Sequence, residues 1–152
     1  MPSTPSTSTA GAAPSRSRSW PVLLLMLVLC YAALDKPAWA PPGWLFGPVW
    51  TVLYGTIAVA GWLVARRPGR GRRPALVAWG VQLALNALWT PLFFAAGQYG
   101  AAFLDITLLL AAVVTTALLA ARVDRRAALL LVPYLLWVGY AAALNLSLWL
   151  NN

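Results

Sequence analysis

The sequence predicts an all-α membrane protein, specifically a five-transmembrane-helix bundle. Hydrophobic residues occupy 61% of its 152 positions and charged residues only 9%, which excludes an ordinary soluble domain. The apolar residues fall into runs that can cross a bilayer as helices, and most arginines lie in short segments between those runs. The net charge of +8 therefore indicates membrane topology, and we expect the lipid bilayer rather than nucleic acid as a partner.

The N-terminal part divides into a polar tail and a short apolar run. Residues 1–19 are rich in Ser, Thr and Pro, so we expect a disordered tail. Residues 20–34 are the first predicted helix, although this run spans only about 22 Å against a hydrocarbon core of roughly 30 Å. The run also mimics a secretory signal peptide, because arginines precede it and Ala38-Trp39-Ala40 follows it. Pro41 would disfavour cleavage there, so we favour a retained helix.

Four further apolar runs are each long enough to span a membrane as a helix. They comprise residues 48–65, 75–96, 101–121 and 127–150. Pro91 is predicted to kink the third helix near its end. The predicted membrane domain therefore covers residues 20–152.

Residues 36–54, between the first two predicted helices, combine four prolines with three tryptophans. Proline fixes φ and lacks an N–H group, so we predict an ordered, extended connection over residues 36–47 and a helix starting at Pro48. Trp50 and Tyr54 then lie one turn apart on the same face. A rigid aromatic segment before an aromatic helix suggests a lid over a pocket.

The basic residues orient the predicted helices. Ten of the eleven lie in the N-terminal flank, the second-to-third loop and the fourth-to-fifth loop, which are all on one side of the membrane. Only Lys36 lies on the other side. By the positive-inside rule the N-terminus is cytoplasmic, and the aromatic segment and the C-terminus face outward.

Ordinary catalytic and metal-binding groups are scarce. The sequence has no His and no Glu, and its single cysteine, Cys30, cannot form an intramolecular disulfide. A histidine base, a zinc site and haem ligation by imidazole are therefore excluded, and we predict no metal site. Asp105 is the one acid inside a predicted span. We favour a structural role for it near a helix N-terminus, although buried acids in spans are functional by default.

Aromatic and amide side chains recur instead at helical spacing on three predicted helices. These stripes are Gly47, Trp50, Tyr54 and Gly61; Gln82, Asn86, Trp89 and Phe93; and Tyr134, Trp137, Ala141, Asn145 and Trp149. Packing between helices is one explanation, with interhelical hydrogen bonds worth about 0.6 kcal/mol each. For Trp50, Asn86 and Trp137 we favour the other, a pocket for a flat, apolar ligand with a polar edge.

Three segments, residues 36–54, 85–94 and 133–145, resemble the motifs of the TspO/MBR family of tryptophan-rich sensory proteins and translocator proteins. The resemblance implies a bundle of five helices, usually a homodimer. It also implies non-covalent binding of a porphyrin, protoporphyrin IX or haem, beneath the first loop. The implied role is sensor or regulator of tetrapyrrole metabolism or stress, with light-dependent porphyrin degradation as a further activity.

The resemblance also implies site residues by motif position. The implied ligand-binding residues are Tyr31, Trp39, Pro42, Trp50, Tyr54, Asn86, Trp89, Trp137 and Ala141. Trp50 and Trp137 would flank the ligand and would be the catalytic residues of any photodegradation, and Asn86 would hydrogen-bond the ligand. The chain departs from the family pattern in a shorter connection before Tyr31. It also lacks a basic residue after Tyr140, so we do not expect a sterol site.

Two other functional classes remain open. A transporter would carry porphyrin or another apolar anion across the membrane, but five spans show no inverted repeat and no helix broken at mid-membrane. A purely structural membrane partner would bind no ligand. Flux into vesicles would identify a transporter, and ligand titration would identify a structural partner.

Overall fold

The computed structural model describes residues 29, 32–33, 36–95 and 98–151. All regular structure in this part is helical, and four of its helices are long and apolar enough to cross a membrane. The all-α membrane class is therefore confirmed. The predicted tail at residues 1–19 and nearly all of the predicted first helix at residues 20–34 lie outside the described residues, so the fifth span stays a prediction.

Four helices form the described bundle. They are α1 (Phe46–Ala65), α2 (Arg72–Thr90), α3 (Tyr99–Val123) and α4 (Arg125–Asn151). Each begins two or three residues before the predicted start. Helix α3 packs against both α2 and α4. Helix α1 packs against α4 and contacts α2 less extensively.

The aromatic segment before α1 is only partly extended, so the prediction for residues 36–47 needs a correction. Pro42 has extended backbone, with φ −63° and ψ 144°, but a 3₁₀ turn already begins at Gly43–Leu45 and continues into α1. The Leu45 N–H donates to the Pro42 carbonyl at 3.0 Å. Pro48 is the third residue of α1, where its missing N–H group costs no intrahelical hydrogen bond. The helix therefore starts before the proline that the sequence analysis took as its first residue.

Helix α2 ends in a wider turn instead of a simple kink. Pro91 has no N–H group to donate to the carbonyl one turn earlier, and Pro91–Ala95 forms a π-helical turn. The Gln98 N–H donates to the Leu92 carbonyl at 3.2 Å. This turn connects α2 to α3 and makes them antiparallel neighbours.

Helix α1 buries a different face from the predicted one. Its buried residues are Leu53, Ile57, Ala60, Gly61 and Val64. In the predicted stripe only Gly61 is fully buried, whereas Gly47 and Tyr54 are exposed. A helix that is apolar on all sides gives no polarity contrast from which its inward face can be recognised.

A tryptophan sets the spacing of α1 and α2. The Trp79 indole N–H donates to the Ile57 carbonyl at 3.0 Å. Its ring lies against Gly61, where an added Cβ atom would come within 2.6 Å of the Trp79 Cε2 atom. A residue without a side chain is therefore needed at position 61 for this contact.

Candidate functional site

A chain of hydrogen bonds, called the Asn86 chain below, links α1, α2 and α4 inside the bundle. The Tyr54 hydroxyl donates to Asn86 Oδ1 at 2.7 Å, and Asn86 Nδ2 donates to the Tyr134 hydroxyl at 3.0 Å. The Tyr134 hydroxyl in turn donates to Gln82 Oε1 at 2.7 Å. Residues from three predicted stripes therefore meet, but Asn86 is bonded to protein side chains and lines no cavity described below.

The two ends of the Asn86 chain differ in exposure. Tyr54 is 46% exposed, whereas Gln82 is fully buried, and its Nε2 has no partner within the described part of the chain. The ring of Trp50 covers the middle, with its centroid 5.4 Å from that of Tyr54 and 6.3 Å from that of Tyr134. The Asn86 chain thus has an accessible phenol at one end and, at the other, a donor without a partner among the described residues.

A second set of contacts, called the Asn145 cluster, lies where α2, α3 and α4 meet. The Trp89 indole N–H donates to Asn145 Oδ1 at 3.1 Å, and Asn145 Nδ2 donates to the Tyr99 carbonyl at 3.0 Å. Phe93 stacks on Trp89 with ring centroids 4.9 Å apart. The cavity beside them, which Ala141 also lines, has a volume of only ≈ 10 Å³. That is about the space of one water molecule, so Trp89 and Ala141 line no ligand-sized cavity here.

A larger cleft lies between the aromatic segment, α1 and α4. Its volume is ≈ 510 Å³, within the range of about 300–1,000 Å³ typical of small-molecule sites. Its lining residues are Pro41, Leu45, Val49, Leu53, Pro133, Leu136, Trp137 and Tyr140. Among the predicted ligand-binding residues that the structure describes, only Trp137 lines this cleft. Tyr31 lies outside the described residues.

Trp137 lies in the cleft wall and packs against two other aromatic rings. Its ring meets Phe46 edge-on at 5.8 Å and lies 5.7 Å from Tyr140. The indole N–H is buried and has no hydrogen-bond partner among the described residues. A buried donor without a partner costs about 1–3 kcal/mol, which a ligand acceptor would recover.

Trp39 holds the aromatic segment against α4. The Tyr140 hydroxyl donates to the Trp39 carbonyl at 2.7 Å, and the two rings meet edge-on at 5.6 Å. Of the adjacent prolines, Pro41 is buried and lines the cleft, while Pro42 is exposed outside it. Trp39 therefore holds the aromatic segment in place, and neither Trp39 nor Pro42 lines the cleft.

Most residues of the cleft wall were not among the predicted ligand-binding residues. Val49 and Leu53 lie one turn apart on α1, and Pro133, Trp137 and Tyr140 follow the spacing of one face of α4. This spacing was the available signal. The spacing could not be recognised, because Val, Leu and Pro residues also occur on the other faces of these apolar helices.

Asp105 does not have the environment predicted for it. It is the seventh residue of α3, beyond the first turn in which the helix dipole favours an acid. Its side chain is buried, and Oδ2 has no partner within the described part of the chain. It lines neither cavity. The proposed stabilisation by the helix N-terminus is therefore wrong.

The amino-acid sequence is similar to those of known proteins. A sequence profile of the TspO/MBR family matches residues 13–150. The translocator protein of Ovis aries is 42% identical over 125 residues, covering 80% of this chain and 74% of the relative. The tryptophan-rich protein TspO of Chlorobaculum tepidum is 42% identical over 123 residues, 78% of this chain and 76% of the relative. Protein CrtK of Rhodobacter capsulatus is 39% identical over 127 residues, 80% of this chain and 78% of the relative.

Proposed function

Because the chain belongs to the TspO/MBR family, we propose that it binds a tetrapyrrole, protoporphyrin IX or haem, in the cleft between the aromatic segment, α1 and α4. Ligand binding makes it a membrane sensor or regulator of porphyrin metabolism or stress. The observation that carries this proposal is Trp137, whose indole lines the cleft while its N–H group is buried without a partner in the described residues.

The chemistry of the cleft suits a flat aromatic ligand with acidic substituents. Pro41, Leu45 and Pro133 supply apolar walls, and the Trp137 and Tyr140 rings supply surfaces for an aromatic macrocycle. The described residues give the Trp137 N–H no acceptor, and a porphyrin carboxylate can supply one. Hydrogen bonds to charged acceptors are stronger than neutral ones, so this contact favours an anionic ligand.

The Asn86 chain lies beside the cleft and contributes indirectly. Trp50 and Tyr54 follow the cleft residues Val49 and Leu53, so each is rotated by about 100° around α1. Contact of the ligand with Trp50 or Tyr54 therefore requires a rearrangement at this face of α1, and a ligand that bonds Asn86 Oδ1 must replace the Tyr54 hydroxyl there. The half-exposed position of Tyr54 makes this rearrangement inexpensive.

Titration of detergent-purified protein with protoporphyrin IX in the dark tests the proposal, with tryptophan quenching and porphyrin absorption as readouts. Trp137→Phe keeps an aromatic ring but removes the N–H donor, so we expect about tenfold weaker binding. Trp62→Phe is the matched control, because Trp62 is exposed on α1 and does not line the cleft. Equal affinities of the two variants, or no saturable binding by folded protein, would contradict the proposal.

Two further experiments separate the related activities. Illumination of the bound sample tests photodegradation, with Trp50 and Trp137 as the proposed catalytic residues. Light-driven loss of porphyrin absorption that depends on either residue would add an enzymatic activity to sensing. Porphyrin flux into vesicles containing the purified protein would favour the transporter instead.

The proposal includes the topology. Residues 20–34 supply a fifth span, the N-terminus is cytoplasmic, the C-terminus faces outward, and the protein is a homodimer. In a Cys30→Ser background, Asn152→Cys should react in intact cells with a membrane-impermeant thiol reagent, whereas Ser3→Cys should not. Light scattering of the purified protein tests the dimer.

A further inference from the structure

Eight arginines collect at one end of the bundle, where α1 and α3 end and α2 and α4 begin. They are Arg66, Arg67, Arg70, Arg72, Arg73, Arg122, Arg125 and Arg126, and all are exposed. In the described part of the chain, Asp124 is the only acid at this end, because Asp105 lies about 27 Å from Val123 along α3. We call these eight residues the arginine surface.

Asp124 joins the two loops into one surface. Its Oδ2 is 2.9 Å from Arg67 Nη2 and accepts from Arg67 Nε at 2.9 Å, while its Oδ1 accepts from the Arg126 backbone N–H at 3.0 Å. Gly71 is so close that an added Cβ atom would lie 3.3 Å from Val123 Cγ2. The single carboxylate is thus used inside the structure, where it neutralises one arginine and holds the two arginine-bearing loops side by side.

We expect the arginine surface at the depth of lipid head groups. Trp62 is 59% exposed near the end of α1, and the guanidinium of Arg66 lies 4.6 Å above its ring. Exposed tryptophans at the end of a spanning helix sit at the membrane–water interface. Arg66 and its neighbours are therefore at the level of lipid phosphates, which guanidinium groups bind in a bidentate manner.

We propose that the arginine surface binds the phosphate groups of anionic phospholipids in the adjacent leaflet. Charge complementarity carries the argument: the surface has one internal acid for eight arginines, and it borders the bilayer around the bundle. Each arginine beside a charged bilayer strengthens such binding about fivefold. The site is separate from the ligand cleft, since none of these arginines lines it.

The proposal is tested by titrating the full-length protein in mixed micelles with brominated phosphatidylglycerol and, separately, with brominated phosphatidylcholine. Bromine on the acyl chain quenches nearby tryptophans, so the two quenching curves give the relative association of the lipids. We expect wild-type protein to prefer phosphatidylglycerol by about fivefold or more. The preference should fall strongly in high salt, because exposed charges are screened.

The triple variant Arg66→Gln/Arg70→Gln/Arg73→Gln should lose most of the preference, while Lys36→Gln, outside the arginine surface, should keep it. Equal association of the two lipids with wild-type protein, or an unchanged preference in the triple variant, would overturn the proposal. Displacement of the lipid by free inorganic phosphate, but not by chloride at the same ionic strength, would also overturn it in favour of a soluble anion. If the triple variant fails to fold, the salt dependence of the wild-type preference still decides.

Discussion

Asn86 on α2 and Asn145 on α4 both lie inside the bundle, but their hydrogen bonds differ. Both polar groups of the Asn145 amide are paired, with Trp89 and with the Tyr99 carbonyl. The Asn86 chain, in contrast, runs from the half-exposed Tyr54 to the Gln82 Nε2 atom, which has no partner among the described residues. Satisfied buried networks make a structure rigid, whereas an unpaired buried group is a cost that a rearrangement can relieve. The comparison therefore assigns Asn145 to stability and Asn86 to a region that can adapt.

Asn145→Ala should break the closed cluster and have the largest effect. It removes the hydrogen bond of the Trp89 N–H and one of the donors to the Tyr99 carbonyl and opens a small cavity, so we expect the free energy of unfolding to fall by about 3 kcal/mol. Equilibrium unfolding in detergent measures it. Asn151→Ala is the matched control, because Asn151 is exposed and makes only a long hydrogen bond to Ser147. Equal stability of the two variants would refute the structural role of Asn145.

Gly61→Ala should damage the Asn86 chain while sparing the Asn145 cluster. The new Cβ atom would lie 2.6 Å from a Trp79 ring atom, so either this ring leaves its place and its bond to Ile57, or α1 moves away from α2 and carries Tyr54 from Asn86. We expect a loss of about 2 kcal/mol in the free energy of unfolding. Gly80→Ala is the control, since no atom lies within 4 Å of the added methyl group. If both substitutions leave unfolding unchanged, the Trp79 contact does not set the helix spacing.

Removing single hydroxyls compares the two ends of the Asn86 chain. Tyr54→Phe should cost about 0.5 kcal/mol in unfolding free energy, because the residue is half-exposed and makes one interhelical hydrogen bond. Tyr134→Phe should cost more, since Asn86 Nδ2 loses its acceptor and Gln82 Oε1 its donor inside the bundle. Unfolding of both variants under identical conditions measures the difference. A larger cost at Tyr54 would reverse the assignment of the adaptable end.

Loss of the Arg67–Asp124 contact, which lies outside the spans, should have the smallest effect on the free energy of unfolding. The hydrogen bond from Arg67 is the main reason why the pKa of Asp124 lies below the ordinary 3.8. The carboxylate therefore contributes stability above pH 3.8, and that contribution is lost as the pH falls through the lowered value.

Melting temperatures between neutral pH and pH values below 3.8 measure this contribution. Arg67→Gln should reduce the acid-induced loss of stability, and Asp124→Asn should remove the part due to this carboxylate. Identical pH profiles of wild type and both variants would show that the contact contributes no stability. Asn145→Ala serves as the reference, because Asn145 does not titrate and its effect should persist across the whole range.

The sequence identified the residues of the Asn86 chain and of the Asn145 cluster more reliably than it identified the cleft. Gln82, Asn86 and Trp89 stand out as polar or aromatic positions on an apolar helix, and all three are buried on one face of α2. Val49, Leu53 and Leu136 do not stand out, because similar side chains also face outward on the same helices. The inward face of α1 was misjudged for the same reason.

Composition and charge placement alone fixed the membrane class and the four described spans, because apolar runs of this length have few other stable environments. The motifs alone also pointed to the family and to Trp137. Only the tertiary structure decided that Tyr54 is bonded to Asn86, that Trp137 lines a cleft with no partner for its N–H among the described residues, and that Asp124 joins the two arginine loops. These features depend on contacts between residues far apart in the chain, and local spacing carries no information about which helix faces meet.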